Sequence, residues 1–190
     1  MTEEQAKDYM TAAYQAEVEF RKRTFVDDKE TQSNIERFAK FLTGDDSKFG
    51  IMFSGVCGNG KTTLLYAFQS ALNYLAERGV VDQNVGISIV DAKEVVQYAK
   101  DTKRFALLKD KEMLGIEDMG REPVEVNDYG NIMNPIIDLL EHRYNRQLFT
   151  AITTNLTPKE IREKYGNRIA DRFNEMFDKI IFNNGTYRKN

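Results

Sequence analysis

One cysteine and one histidine are all that the 190 residues offer of the side chains that staple a chain or hold zinc. The lone Cys57 excludes an internal disulfide, and one histidine with one cysteine falls short of a structural zinc site. No apolar run reaches the ~18 residues that a membrane-spanning helix needs, and the polar start MTEEQAKDYM does not read as a secretory signal. The expected location is therefore cytoplasmic. Excess positive charge is missing too: the 30% of charged residues nearly balance, at a formal −3. No global field recruits nucleic acid or an anionic membrane, so any contact with nucleic acid must be local. There is no repeat, no low-complexity segment and no flexible linker.

What is there suffices for one domain with a sizeable core, since 41% of the residues are hydrophobic. Residues 3–23 set Ala6, Met10, Ala13, Tyr14, Val18 and Phe20 among charges, close to one helical stripe. Residues 1–30 are expected to form a helical appendage, either docking a partner or packing on its own domain, and residues 31–190 the main domain. A second helix around 31–43 places Ile35, Phe38, Ala39 and Leu42 on one face. Beyond it, short apolar runs alternate with amphipathic segments: FGIMFS, the stretch after it, GISIVDA, a helical 91–109, EMLGIED, a helical 128–146, and LFTAITTN. That rhythm predicts an α/β fold, a parallel sheet with crossover helices. A short helix behind Thr157-Pro158, a helix around 167–176 and a terminal strand DKIIF complete the chain.

Residues 55–62 read GVCGNGKT, a full G-x-x-x-x-G-K-[ST] phosphate-binding loop between an apolar strand and an amphipathic helix. Gly55, Val56, Cys57, Gly58, Asn59 and Gly60 form a bend whose N–H groups cradle phosphate, helped by the positive end of the helix that begins near Lys61. Lys61 is expected to reach the β- and γ-phosphates, with Thr63 beside it, and the Thr62 hydroxyl to hold Mg²⁺. In MLGIED, Glu117 and Asp118 end an apolar strand where a Walker B motif belongs. Glu117 is assigned to Mg²⁺ and Asp118 to the attacking water. In ITTN, Asn155 closes another apolar strand. It either bonds the attacking water or the γ-phosphate, helped by Thr153 or Thr154, or caps the following helix, a task that Thr157 before Pro158 fits better.

Arg168 and Arg172 lie one helical turn apart in YGNRIADRF. They either pair on the surface with Asp171, Glu175 or Asp178, or one of them enters a neighbouring subunit's site as an arginine finger, an effect of about 10³–10⁵ in rate. Arg188, in the terminal GTYRKN, reads by itself as a tail residue.

Taken together, GVCGNGKTTL, MLGIEDMG, EHRYNRQLFTAITTNL, YGNRIADRF and TYR resemble, over residues 35–188, the AAA+ ATPases of bacterial helicase loaders of the DnaC/DnaI type and the related IstB transposition helpers. The resemblance implies a three-layer αβα P-loop domain with a five-stranded parallel sheet, with the lid subdomain minimal or absent. It also implies ATP and Mg²⁺ as cofactors and ATP-driven self-association into a ring or spiral. Asn155 then matches sensor 1, Arg172 matches the finger better than Arg168 does, and Arg188 matches sensor 2. The family binds single-stranded DNA, and Lys103, Arg104, Phe105 and Tyr129 lie at comparable places; a solvated helix end and a core aromatic are the other reading of these four. The implied protein partner is a replicative helicase, or a transposase for a transposition helper; a P-loop small-molecule kinase is the third alternative. The family usually has DE or DD where this chain has Glu117-Asp118. A thiol such as Cys57 at a helix start can be reactive or merely small. Many loaders also carry a helicase-binding N-terminal domain where this sequence has some thirty residues, so either the 3–23 helix docks the partner or the partner differs.

Overall fold

The computed structural model describes residues 1–128 and 130–187. In chain order the elements are α1 (Glu3–Phe20), α2 (Lys29–Thr43), β1 (Gly50–Gly55), α3 (Lys61–Glu77), β2 (Ser88–Asp91), α4 (Ala92–Tyr98), α5 (Thr102–Lys109) and β3 (Met113–Met119). They continue with β4 (Val126–Asp128), β5 (Asn131–Met133), α6 (Pro135–Asn145), β6 (Phe149–Thr154), α7 (Pro158–Met176) and β7 (Phe177–Phe182). Five strands form a parallel sheet in the order β2-β3-β6-β1-β7, while β4 and β5 make a separate antiparallel hairpin. This is the α/β fold that the alternation of apolar runs predicts. Among the described residues β7 is the last element.

The chain divides into two compact units. The first comprises residues 1–47, 53–87 and 180 onward. Its centre is Phe38 of α2, fully buried, with Phe53 and Phe68 edge-on to it at 5.2 and 5.1 Å. Helix α1 buries Ala6, Met10 and Tyr14, spaced i, i+4, i+8 on one face, and packs on α2 and α3. Phe20, at its end, stays exposed.

The second unit comprises residues 48–52 and 88–179. Val90, Leu114, Ile116, Leu139, Ile152 and Phe173 lie in its core. Strands β3 and β6 read as nearly unbroken apolar runs because a parallel sheet covered on both faces admits little else. The predicted helix over 91–109 is two helices, because Asp101 stops one and caps the next by accepting from the backbone N–H of Lys103 and Arg104 at 3.0 and 3.1 Å. The predicted helix over 128–146 begins only at Pro135. The residues before it form the β4–β5 hairpin, whose turn is set by the Asn127 side chain accepting from Gly130 N–H at 2.9 Å.

Candidate functional site

The phosphate-loop motif folds as the end of strand β1, a loop and helix α3. The loop's carbonyls are taken up by its own chain. Lys61 Nζ donates to Gly55 O at 2.8 Å and Val56 O at 2.7 Å, and to the Asn59 side chain at 3.0 Å. Tyr187 N–H donates to Gly58 O at 2.8 Å, and Asn184 Nδ2 to Asn59 O at 2.9 Å. Asn59, itself buried, anchors the loop to β7 through Phe182 O at 3.2 Å. These bonds hold the shape of the bend, and a glycine-rich bend of this kind presents its N–H groups to an anion. Gly55 and Gly60 adopt φ of +142° and +104°, where a side chain is strained. Helix α3 starts at Gly60 without any side-chain cap, so its first N–H groups add to the anion-binding end. Val56 and Cys57 lie at the exposed tip, and Thr62 and Thr63 in the first turn are half-buried.

Sequence reasoning did not anticipate what surrounds the loop. In the TYR stretch it singled out Arg188, which lies outside the described residues. Within them Tyr187 does the holding: its main chain bonds Gly58, and its hydroxyl donates to Asp28 Oδ2 at 2.7 Å and lies 3.0 Å from Thr31 Oγ1. Asp28 is at the same time the cap of α2, accepting from Thr31 N–H at 2.7 Å. Although partial burial opposes it, the Thr31 N–H and Tyr187 hydroxyl hold the Asp28 carboxyl below its usual 3.8. Burial, with the Asp28 charge, pushes the Tyr187 hydroxyl up to about 12. The helix-cap pattern at Asp28 was a readable signal; its bond to a residue 159 positions away was not.

In the second unit β3 carries Glu117 and Asp118. The β3–β6 pairing slips by one residue between Ile116 and Met119, and Asp118 has φ +52°, a left-handed conformation that costs a non-glycine residue ~1–3 kcal/mol. Threonines of β6 hold the bulge: Asp118 N–H donates to Thr153 Oγ1 at 2.9 Å, and Thr154 Oγ1 donates to Met119 O at 2.6 Å. Asp118 is ion-paired with Arg121. Just beyond, the buried Glu122 accepts from Gly120 N–H at 2.8 Å and from the Tyr165 hydroxyl, while Lys164 Nζ bonds Gly120 O and Glu122 O. Burial and the Glu122 carboxylate raise the Tyr165 hydroxyl well above its ordinary value.

Asn155 is exposed at the end of β6. It does not cap α7: Thr157 does, in a reciprocal box with Glu160. Among the described residues neither Arg168 nor Arg172 pairs with Asp171, Glu175 or Asp178, the partners of the surface reading: Asp171 takes Arg162, and both arginines lean on Glu141 of α6. Arg172 Nη1 is 2.7 Å from Glu141 Oε1, its guanidinium lies 4.8 Å from the Tyr144 ring centre, and its side chain is 14% exposed. Arg168 is 3.2 Å from the same oxygen and 73% exposed. Lys103 and Arg104 stand exposed on α5, Arg104 over the Tyr98 ring at 5.9 Å. Phe105 packs against the core and lies under Lys109. Tyr129 lies outside the described residues. Among those described, no helix is long and apolar enough to cross a membrane.

No protein-family model and no curated protein sequence matches the chain. Solved structures do. The DnaC helicase loader is 19% identical with a TM-score of 0.61, the match covering 83% of this chain and 93% of that one. DnaI is 23% identical with a TM-score of 0.63, covering 87% and 88%. The replication initiator DnaA, bound to AMPPCP and single-stranded DNA, is 17% identical with a TM-score of 0.56, covering 82% of this chain and 48% of that one. The chain thus has the α/β fold of the DnaC helicase loader, of DnaI and of DnaA, the fold that the resemblance implied.

Proposed function

We propose that this chain is an ATP-binding and ATP-hydrolysing AAA+ protein that acts on a replicative helicase at single-stranded DNA. The observation that carries the reading is the phosphate loop, whose carbonyls are held by Lys61, Asn184 and Tyr187 and which leads into the uncapped start of α3, an end suited to an anion. Further support is the likeness to the DnaC helicase loader, to DnaI and to an initiator whose structure holds AMPPCP.

In this reading Gly55 to Thr63 hold the triphosphate and Lys61 moves onto its outer phosphates. Thr62 and Glu117 would hold Mg²⁺, which supplies charge neutralisation at the phosphates. An Mg²⁺ bound there would be held by one or two side chains and by phosphate oxygens. Asp118 orients and deprotonates the attacking water once Arg121 releases it, and Asn155 fixes that water's position. Arg172 remains the proposed finger of a self-associated ring or spiral, its exchange of Glu141 for a neighbour's phosphate accompanying assembly; the more exposed Arg168 is its competitor. Arg188 is proposed as sensor 2. Lys103, Arg104 and Tyr129 are proposed as DNA contacts, Phe105 contributing less because its ring is already packed.

The test is phosphate release from Mg-ATP with and without single-stranded DNA, alongside pulldown with a replicative helicase and with a transposase. DNA-stimulated release and helicase capture are expected. Transposase capture instead would move the chain to the transposition helpers, and absence of turnover would end the ATPase reading.

A further inference from the structure

A side chain that no phosphate-loop motif contains also reaches the loop. Tyr14 of α1 is only 5% exposed, and its hydroxyl oxygen lies 2.3 Å from where a Cβ on Gly60 would sit. Phe25 meets its ring at 6.2 Å, edge to face. Burial, then the neighbouring Tyr187 and Asp28, raises the hydroxyl above its ordinary value, so it is a neutral donor at any physiological pH. Among the described residues this hydroxyl is not seen in a hydrogen bond, and it is not one of the fully enclosed unpartnered atoms, so it keeps access to a ligand. Gly60, the residue it touches, is the uncapped start of α3. An unused O–H donor and a helix's unused N–H donors therefore meet at one glycine, and the ligand chemistry common to both is an anionic oxygen.

We propose that Tyr14 is a nucleotide-positioning residue: its hydroxyl donates to an oxygen of the nucleotide held at the loop, which makes α1 part of the binding site. The inference rests on the reading of the loop as a nucleotide site. It changes what the N-terminal helix is for. If nucleotide binding stabilises the docked α1, then docking of α1 strengthens nucleotide binding by the same factor. Any partner that lifts α1 from α2 and α3 would weaken nucleotide binding, and release of nucleotide would loosen α1.

The experiment titrates mant-ATP with Mg²⁺ into the full chain, its Tyr14→Phe variant and its Lys61→Ala variant, and follows hydrogen exchange of α1 with and without the nucleotide. Tyr14→Phe keeps the ring and removes only the donor. It is expected to bind about tenfold more weakly, the loss of one hydrogen bond to a charged group, with an unchanged melting curve in the absence of nucleotide. Nucleotide should slow exchange in α1 of the unaltered chain and do so less in Tyr14→Phe. Equal affinity for the two, or a loss of affinity accompanied by an equal loss of nucleotide-free stability, would overturn the proposal and leave Tyr14 a packing residue. If the unaltered chain bound no better than Lys61→Ala, the loop reading itself would fall.

Discussion

The backbone N–H of Asp118 is held by the hydroxyl of Thr153, 2.9 Å away on the neighbouring strand, at the place where one extra residue in β3 breaks the pairing with β6. The acid proposed to handle water is thus aimed by a bulge, and the bulge is kept by a threonine of the neighbouring strand.

Replacing Thr153 with Val removes the oxygen and keeps the shape. The Asp118 N–H then loses its partner, and turnover is expected to fall about tenfold, the equivalent of ~1–2 kcal/mol, while the affinity for nucleotide changes little. Steady-state phosphate release with a parallel mant-ATP titration separates the two quantities; a lowered affinity at unchanged turnover would contradict this assignment.

Asp118→Asn should abolish most turnover without unfolding the chain. Asn tolerates the left-handed backbone that position 118 adopts, so the melting temperature is expected to hold while hydrolysis drops by at least ~10²-fold, the scale of losing a general base. Unchanged turnover would remove Asp118 from the mechanism.

Whether Arg172 acts in a neighbouring subunit can be read by complementation. Arg172→Ala and Lys61→Ala subunits, each inactive alone, are expected to regain part of the turnover when mixed, because one still offers a sound loop and the other a sound finger. Recovery seen with Arg168→Ala in place of Arg172→Ala would transfer the role to Arg168, whose side chain is the more exposed of the two.

Acid should loosen the contact between Asp28 and Tyr187. The Asp28 carboxyl titrates lower in the folded chain than its ordinary 3.8, so its charged form is the one that folding favours. The stabilisation it gives is complete above about pH 4 and is lost as pH falls through the lowered folded value. Hydrogen exchange at Thr31 and Tyr187 should therefore accelerate below pH 4 in the unaltered chain. In Asp28→Asn that acceleration should shrink.

Arg143 offers a test of the second unit. Fully buried on α6, it donates to Thr150 Oγ1 and to the carbonyls of Lys109, Lys111 and Phe149, and burial lowers its guanidinium to about 10. Arg143→Met leaves those acceptors unpaired and is expected to cost ~3 kcal/mol or more in urea unfolding.

The strands and most helices were legible because their apolar spacing is local. GVCGNGKT could be placed at a strand-to-helix turn for the same reason. The second half of the hairpin, from residue 128 onward, was absorbed into a helix because Ile132 and Met133 fit either period over so short a span, and only Asn127 with Gly130 marks the turn. What surrounds the loop was not legible at all. Tyr14, Asn184 and Tyr187 reach it from far along the chain, and no periodicity encodes a contact across 125 positions such as that of Asn184 with Asn59. The slip in β3 was likewise hidden, since Glu117-Asp118 reads the same in a regular strand as in a bulged one.

The dependence of the loop on residues 182–187 has a consequence for biosynthesis. During translation GVCGNGKT leaves the ribosome long before the segment that bonds Gly58 and Asn59, so a nascent chain holds the motif without its clamp. Long-range closure of this kind is slow relative to local helix formation. Competence for nucleotide should therefore arrive late, after β7 has joined the sheet, and arrested chains that stop short of Asn184 would carry the whole phosphate motif and still bind nucleotide poorly.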